Sequence, residues 1–178
     1  MQKLSKKKNK KIGILGGTFD PPHIGHLNIS KIAIKKFKLD ILLWIVTKQN
    51  PLKKKPLLKT KIRILLSKDI TKSYKKISVK FFDKKVKSKN TFALLNFLKR
   101  RRKKSELFFI IGADNFINFH KWKNWKKIPQ LSKIVVFSRS KYTRKALNSI
   151  ASKNLNESDW IYINHKKMNI SSSLIRKF

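Results

Sequence analysis

Apolar residues along this chain concentrate in short runs, at 12–15, 41–46, 77–82, 107–111, 133–138 and 160–163. Runs of this length, rich in Ile, Val, Leu and Phe, suit strands buried on both faces. Between them, 27–37, 60–71, 91–98 and 145–151 carry apolar residues at helical spacing. In the 60–71 segment the spacing predicts that Ile62, Leu65, Leu66 and Ile70 face inward, with Thr60 as the helix cap. The 145–151 segment reads as a surface helix. Strand, helix and strand in this order predict right-handed βαβ crossovers, and hence an α/β fold with a doubly wound, mostly parallel sheet in a single domain. Residues 1–11 have no periodicity and read as a basic flexible tail ahead of a domain spanning 12–178. The aromatic-rich stretch 116–128 places Phe116, Phe119 and Trp125 at helical spacings that suit a core.

Two strings interrupt this pattern with chemistry. The first, Gly16-Gly17-Thr18-Phe19-Asp20-Pro21-Pro22-His23-Ile24-Gly25-His26-Leu27, lies between the first strand and the first helix. A glycine-rich turn at that place exposes backbone N–H groups at a helix N-terminus, where roughly half a positive charge collects and phosphate binds. His23 and His26 are three apart, so they share a helix face and can direct two imidazoles at one anion. No Gly-Lys-Ser/Thr closes the turn and no Gly-x-Gly-x-x-Gly spacing occurs, which excludes a Walker A loop and the dinucleotide fingerprint. The second string, Ile170-Ser171-Ser172-Ser173-Leu174-Ile175-Arg176, opens a last helix with hydroxyls and turns Arg176 toward Ser172 and Ser173. It reads as a second phosphate site or as an ordinary capped helix. Gly112-Ala113-Asp114 repeats the opening logic, and Asp114 suits ribose hydroxyls, a helix N-cap, or both. The loop 47–60 leaves the C-terminal end of the second strand, the edge where open α/β sheets hold ligands.

Charge changes the picture less than its size suggests. There are 46 Lys and Arg against 8 Asp and Glu, a formal +38. Alone, that favours a nucleic-acid partner. The lysines, however, are spread over every segment and accompany an excess of Ile, Asn and Phe, as a strongly AT-biased genome produces. A basic RNA-binding protein therefore stays a distant alternative, and no specific nucleic acid is expected. Lysines are denser at 53–55, in the 47–60 loop, and basic residues at 100–104, after a helix, where cations suit the dipole. With no cysteine, disulfides and thiolate metal sites are excluded. No run approaches a membrane span, and a cytoplasmic protein is expected.

On these two strings the chain resembles the HxGH nucleotidyltransferase superfamily and, within it, the bacterial nicotinate-nucleotide adenylyltransferase family, over residues 11–176. The resemblance implies a Rossmann-like nucleotidyltransferase fold. It also implies an activity in NAD biosynthesis: AMP moves from ATP to nicotinate mononucleotide, giving nicotinate adenine dinucleotide and pyrophosphate. By resemblance His23, His26 and Arg176 are catalytic, and Gly16, Gly17, Thr18, Ser172 and Ser173 bind the ATP phosphates. Gly112 and Asp114 take the adenosine ribose. Asn50, Lys53, Thr91 and Trp122 take the mononucleotide, with Trp122 stacking on the pyridine ring. Lys53 reads equally well as a surface lysine. Where the family has Tyr-Thr at the start of a helix, this chain has Asn90-Thr91, which is also a routine N-cap. The family's usual Thr is Ser173 here. Mg²⁺ is expected to ride on the ATP phosphates with few protein ligands. Pantetheine-phosphate adenylyltransferase is the nearest alternative, and Trp122 with the Gln49-Asn50-Pro51-Leu52-Lys53 loop favours the nicotinate enzyme. A phosphate nucleophile is already anionic at neutral pH, so the absence of a close carboxylate pair among eight acids is compatible with the chemistry.

Overall fold

The computed structural model describes residues 9–50, 52, 54–82, 86, 90–165 and 170–176. Each continuous apolar run is a strand: β1 (Lys11–Gly17), β2 (Ile41–Val46), β3 (Ile77–Lys80), β4 (Glu106–Gly112), β5 (Lys133–Phe137) and β6 (Trp160–Ile163). They form one sheet in the order β3-β2-β1-β4-β5-β6, with every neighbouring pair parallel. Ile14 sits between Leu43 and Phe109 at the centre. Because side chains alternate along a strand, Ile12, Ile14, Leu43, Ile45 and Phe109 face one side, and Leu15, Leu42, Trp44 and Phe108 the other.

Helices α1 (Ile24–Phe37) and α2 (Thr60–Thr71) cover the second of these faces through Leu27, Ala33, Ile64 and Ile70. The first is covered by α3 (Thr91–Arg101), α4 (Ala113–Ile117), α5 (Thr143–Leu147) and α6 (Ile150–Asn154), which bring Leu95, Leu98, Phe116, Ala146 and Ala151. Phe116 and Phe119 are fully buried, as their spacing predicts, and Trp125 packs at the margin of the same cluster. Beyond α4 the aromatic stretch continues as two 3₁₀ turns, Phe119–Lys121 and Trp125–Lys127. A short last helix, α7 (Ser172–Ile175), follows β6. The strand order reverses between β1 and β4, and such a reversal opens a crevice at the C-terminal strand ends. Among the described residues no helix is long and apolar enough to cross a membrane.

Four expectations need correction. The first strand begins at Lys11, one residue earlier than expected, and the Lys11 N–H donates to Asp40 at 2.7 Å. The third strand stops at Lys80, where its pairing with β2 ends. The predicted surface helix at 145–151 is two helices, broken where Ser149 Oγ accepts from Ser152 N and starts α6, and Ala146 and Ala151 are buried rather than solvated.

The fourth concerns α2, whose extent matches but whose rotation does not. Its buried stripe is Arg63, Ser67 and Thr71, while Ile62, Leu65 and Leu66 are 42%, 56% and 40% exposed; of the four predicted inward residues only Ile70 packs on the core. Thr60 does not cap the helix, which starts after Lys59 without a side-chain cap; its Oγ1 accepts from Arg63 instead. Leaving a buried guanidinium unsatisfied costs several kcal/mol, more than the roughly 1.5–3 kcal/mol that burying one Leu or Ile returns, so the arginine sets the helix rotation.

Leu65→Gln should therefore change stability in urea by no more than about 0.5 kcal/mol. Phe116→Ala, at a fully buried site, should cost about 3–5 kcal/mol. A loss above about 2 kcal/mol for Leu65→Gln would show that this face of α2 is covered.

Candidate active site

The turn after β1 is built by its own histidines. His23 is the N-cap of α1, and its Nδ1 accepts from Gly25 N at 3.1 Å. His26 Nδ1 accepts from His23 N at 3.2 Å, which completes a reciprocal capping box. Gly25 is required at this distance, because a Cβ there would stand 2.8 Å from His23 Nδ1. An imidazole nitrogen that accepts carries no proton, so in the neutral rings the proton is on Nε2. The ring centroids are 3.8 Å apart. His26 is backed by Phe19 and by the edge of Trp44, while Trp44 Nε1 donates to Ser30 Oγ and Ser30 Oγ donates to the His26 carbonyl. Gly16 faces open space, since a Cβ there would meet nothing within 4 Å, and the backbone is accessible to a ligand at that point.

The C-terminal string docks on this turn. Ser172 Oγ donates to the Pro21 carbonyl at 2.8 Å, and Arg176 Nη1 donates to the Asp20 carbonyl and approaches its carboxylate at 3.5 Å. Arg176 Nη2 donates to Ser173 Oγ at 3.2 Å, which is the shared orientation that the spacing implies. Ser171 is the N-cap of α7, accepting from Leu174 N. Asp20, read in sequence only as one acid in the string, is 3% exposed, and its two oxygens accept from Leu57 N and Leu58 N, each at 2.9 Å. A buried carboxylate is stable only with such a full set of donors.

These segments enclose a cleft of about 1010 Å³ at the C-terminal edge of the sheet. Its lining includes Gly16, Gly17, Thr18, His23, His26, Asn50, Gly112, Asp114, Trp122, Ser172, Ser173 and Arg176. Lys53 lies outside the described residues. Thr91 is not in the lining: it is the first residue of α3, and Asn90 Oδ1 caps that helix by accepting from Ala93 N at 2.9 Å. Asn50 Oδ1 accepts from Leu52 N, a local turn. Trp122 joins the core and the cleft, with its ring against Phe119 at 5.2 Å and Phe109 at 6.1 Å. Asp114 is not an N-cap. Because β4 runs through Gly112, Gly112 holds that position, and Asp114 Oδ2 pairs with Arg139 Nη1 at 2.8 Å.

Arg139 and His165 also line the cleft and were missed in the sequence reading; neither belongs to either string, and each follows a strand end, which is the one signal that could have found them. His165 Nδ1 and Ser138 Oγ are 3.1 Å apart. Burial first and the Arg139 guanidinium second push the His23 pKa down to about 4. The ring is thus a neutral hydrogen-bond donor at pH 7. Among the described residues no three His, Cys, Asp or Glu gather as a metal-ligand set. Asp20 and Asp114, the acids of the cleft, already accept from N–H donors.

A wholly parallel sheet with a phosphate-type turn at its reversal point defines a nucleotide-binding α/β protein. The chain belongs to the cytidylyltransferase-like family, whose family model matches residues 14–178. It is 48% identical over 96% of its length to the probable nicotinate-nucleotide adenylyltransferase of Pelagibacter ubique (strain HTCC1062), 94% of which is covered. It is 36% identical to that of Ruegeria sp. (strain TM1040), over 72% of this chain and 67% of the relative. In fold it is similar to the Plasmodium falciparum nicotinic acid mononucleotide adenylyltransferase complexed with NaAD, with a TM-score of 0.75, 22% identity, and coverage of 96% of this chain and 84% of the other. Within the family the chain groups with the nicotinate-nucleotide adenylyltransferases.

His23 carries a pH prediction. Its folded pKa of about 4 lies below the ordinary 6.5, so between those values the unfolded chain holds a proton that the folded chain lacks. Stability should rise with pH across that window and be flat, as far as this group is concerned, above it. The slope should be shallower in His23→Gln, and NMR of the wild-type ring should place its titration near pH 4. Titration at an ordinary histidine value would show that the ring is solvated.

Proposed function

We infer that this protein transfers the adenylyl group of ATP to nicotinate mononucleotide, releasing pyrophosphate and forming nicotinate adenine dinucleotide. The observation that carries this reading is the docking of Ser172 and Arg176 on Pro21 and Asp20, which joins the two ends of the chain around one cleft. The relatives' names supply the substrate class.

An oxygen of the mononucleotide 5′-phosphate attacks the α-phosphorus of ATP, and the bond to the β-bridging oxygen breaks. No proton has to move, since the nucleophile is already an anion. The work of the protein is therefore positioning and stabilising charge on the transferring phosphoryl group. The amides of Gly16, Gly17 and Thr18 and the Nε2–H groups of His23 and His26 face the ATP phosphates. Arg176 and Ser173 hold the β and γ groups and the departing pyrophosphate. The Ser172 hydroxyl proton goes to Pro21, so Ser172 serves this end of the site by fixing α7 against the turn. Gly112 and Asp114 meet the adenosine ribose, with Arg139 orienting the Asp114 carboxylate. Trp122 offers its cleft-facing side to the pyridine ring, and Asn50 lines the mononucleotide end. Mg²⁺ on the ATP phosphates supplies charge neutralisation. A cytoplasmic site of action suits the substrates.

Incubating the protein with Mg-ATP and nicotinate mononucleotide should yield the dinucleotide and pyrophosphate. Absence of both products would sink the assignment. His26→Ala should lower kcat by about a hundredfold or more, while costing about 1 kcal/mol of stability through the lost capping contact. Trp122→Ala should raise KM for the mononucleotide more than KM for ATP; equal changes would return Trp122 to a purely core role.

A further inference from the structure

Arg63 is 1% exposed, and all five of its N–H bonds have acceptors. Nε donates to the Leu58 carbonyl at 3.0 Å. Nη1 donates to the carbonyls of Thr18 and Thr47, and Nη2 to the Lys48 carbonyl at 3.0 Å and to Thr60 Oγ1 at 2.9 Å. Thr47 and Lys48 begin the loop that leaves β2, and Leu58 and Thr60 end it. Between them Asn50, Lys54, Lys55 and Leu57 line the cleft. One side chain therefore grips both feet of a cleft-lining loop and ties them to the phosphate turn.

We propose that Arg63 is a positioning residue for the mononucleotide half of the site, setting the span of the 48–58 loop against the turn at Thr18. The proposal rests on the adenylyl-transfer reading for the identity of that half. Four of the five bonds go to the ends of the loop and one to the turn. The turn keeps other anchors: Thr47 N donates to the Gly17 carbonyl at 2.9 Å, the two histidines cap α1, and Ser172 and Arg176 hold Pro21 and Asp20. Among the described residues the far end of the loop is also held to the turn at Leu57 and Leu58, through Asp20. Loss of the fork thus falls on the loop and, within it, on the end that follows β2. Lysine retains the charge but gathers its donors on one atom, and cannot reach acceptors arranged around a planar guanidinium.

The test compares wild type with Arg63→Lys and with Thr60→Val, which removes a single acceptor and serves if the first variant does not fold. Arg63→Lys should raise KM for nicotinate mononucleotide about tenfold and KM for ATP less than about threefold. Thr60→Val should show the same split at about threefold for the mononucleotide. Trypsin should cut Arg63→Lys after Lys54 faster than it cuts wild type there. Both KM values rising together, or loop cleavage at the wild-type rate, would overturn the proposal. If wild type forms no dinucleotide, the adenylyl-transfer reading fails, and the cleavage rates still decide whether Arg63 holds the loop.

Discussion

A single buried carboxylate holds the candidate site in one piece. Asp20 accepts from two loop amides 37 and 38 residues away, and from an arginine 156 residues away. Taking a carboxylate out of water costs several kcal/mol, which only a complete set of charge-assisted hydrogen bonds offsets. The cost falls on any arrangement in which the loop or α7 is displaced, because Asp20 would then be buried and underbonded. The carboxylate thereby couples the turn, the loop and the C-terminal string. Arg63 repeats the device with opposite sign. The backbone of Leu58 is held at both its polar groups, its N–H by Asp20 and its carbonyl by Arg63.

The same arrangement bears on how the cleft attracts anions. His23 and His26 are acceptors at Nδ1 toward backbone N–H groups, and His23 is held neutral by burial and by Arg139. Positive charge comes instead from the guanidinium groups of Arg176 and Arg139 and from Lys54, Lys55 and Lys141. The formal +38 of the whole chain is a different matter, since it is spread over the surface and screened by salt. Local donors fixed by the fold can discriminate a phosphate chain; a diffuse charge cannot.

How much of this was legible in the sequence follows from which forces act locally. The six strands were readable because runs such as Ile41–Val46 are buried on both faces, and the parallel, doubly wound class followed from the alternation of strand and helix, while the strand order did not. The pairing of the His23 and Arg176 strings was visible as two motifs, and their meeting in space came from the resemblance rather than from periodicity. The rotation of α2 was not legible from apolar spacing, because a buried charge outweighed three exposed aliphatic side chains. Yet Arg63, Ser67 and Thr71 do form a polar stripe at i, i+4 and i+8, and that stripe faces inward. The Asp114 cap was misread because strand and helix meet without an intervening residue, leaving Gly112 as the cap.

The misreadings that local patterning cannot explain gather at one edge of the sheet. At the opposite edge, Lys11 meets Glu106 at 3.7 Å and Lys72 meets Asp69 at 3.1 Å with largely solvated side chains, the kind of surface pair that adds little stability. At the cleft edge Asp20 and Arg63 are buried, and Asp114 is held by the partly exposed Arg139, all tied to backbone or to one another. Local rules are broken where a structure must hold a geometry that packing alone does not specify. Apolar contacts decide which elements touch, but they tolerate small slides and rotations. Hydrogen bonds to a planar guanidinium or a two-oxygen carboxylate do not, since each fixes direction as well as distance. The inverted helix α2 is therefore the consequence of anchoring a loop by directional bonds, and its solvent-facing isoleucine and leucines are what that anchoring displaced.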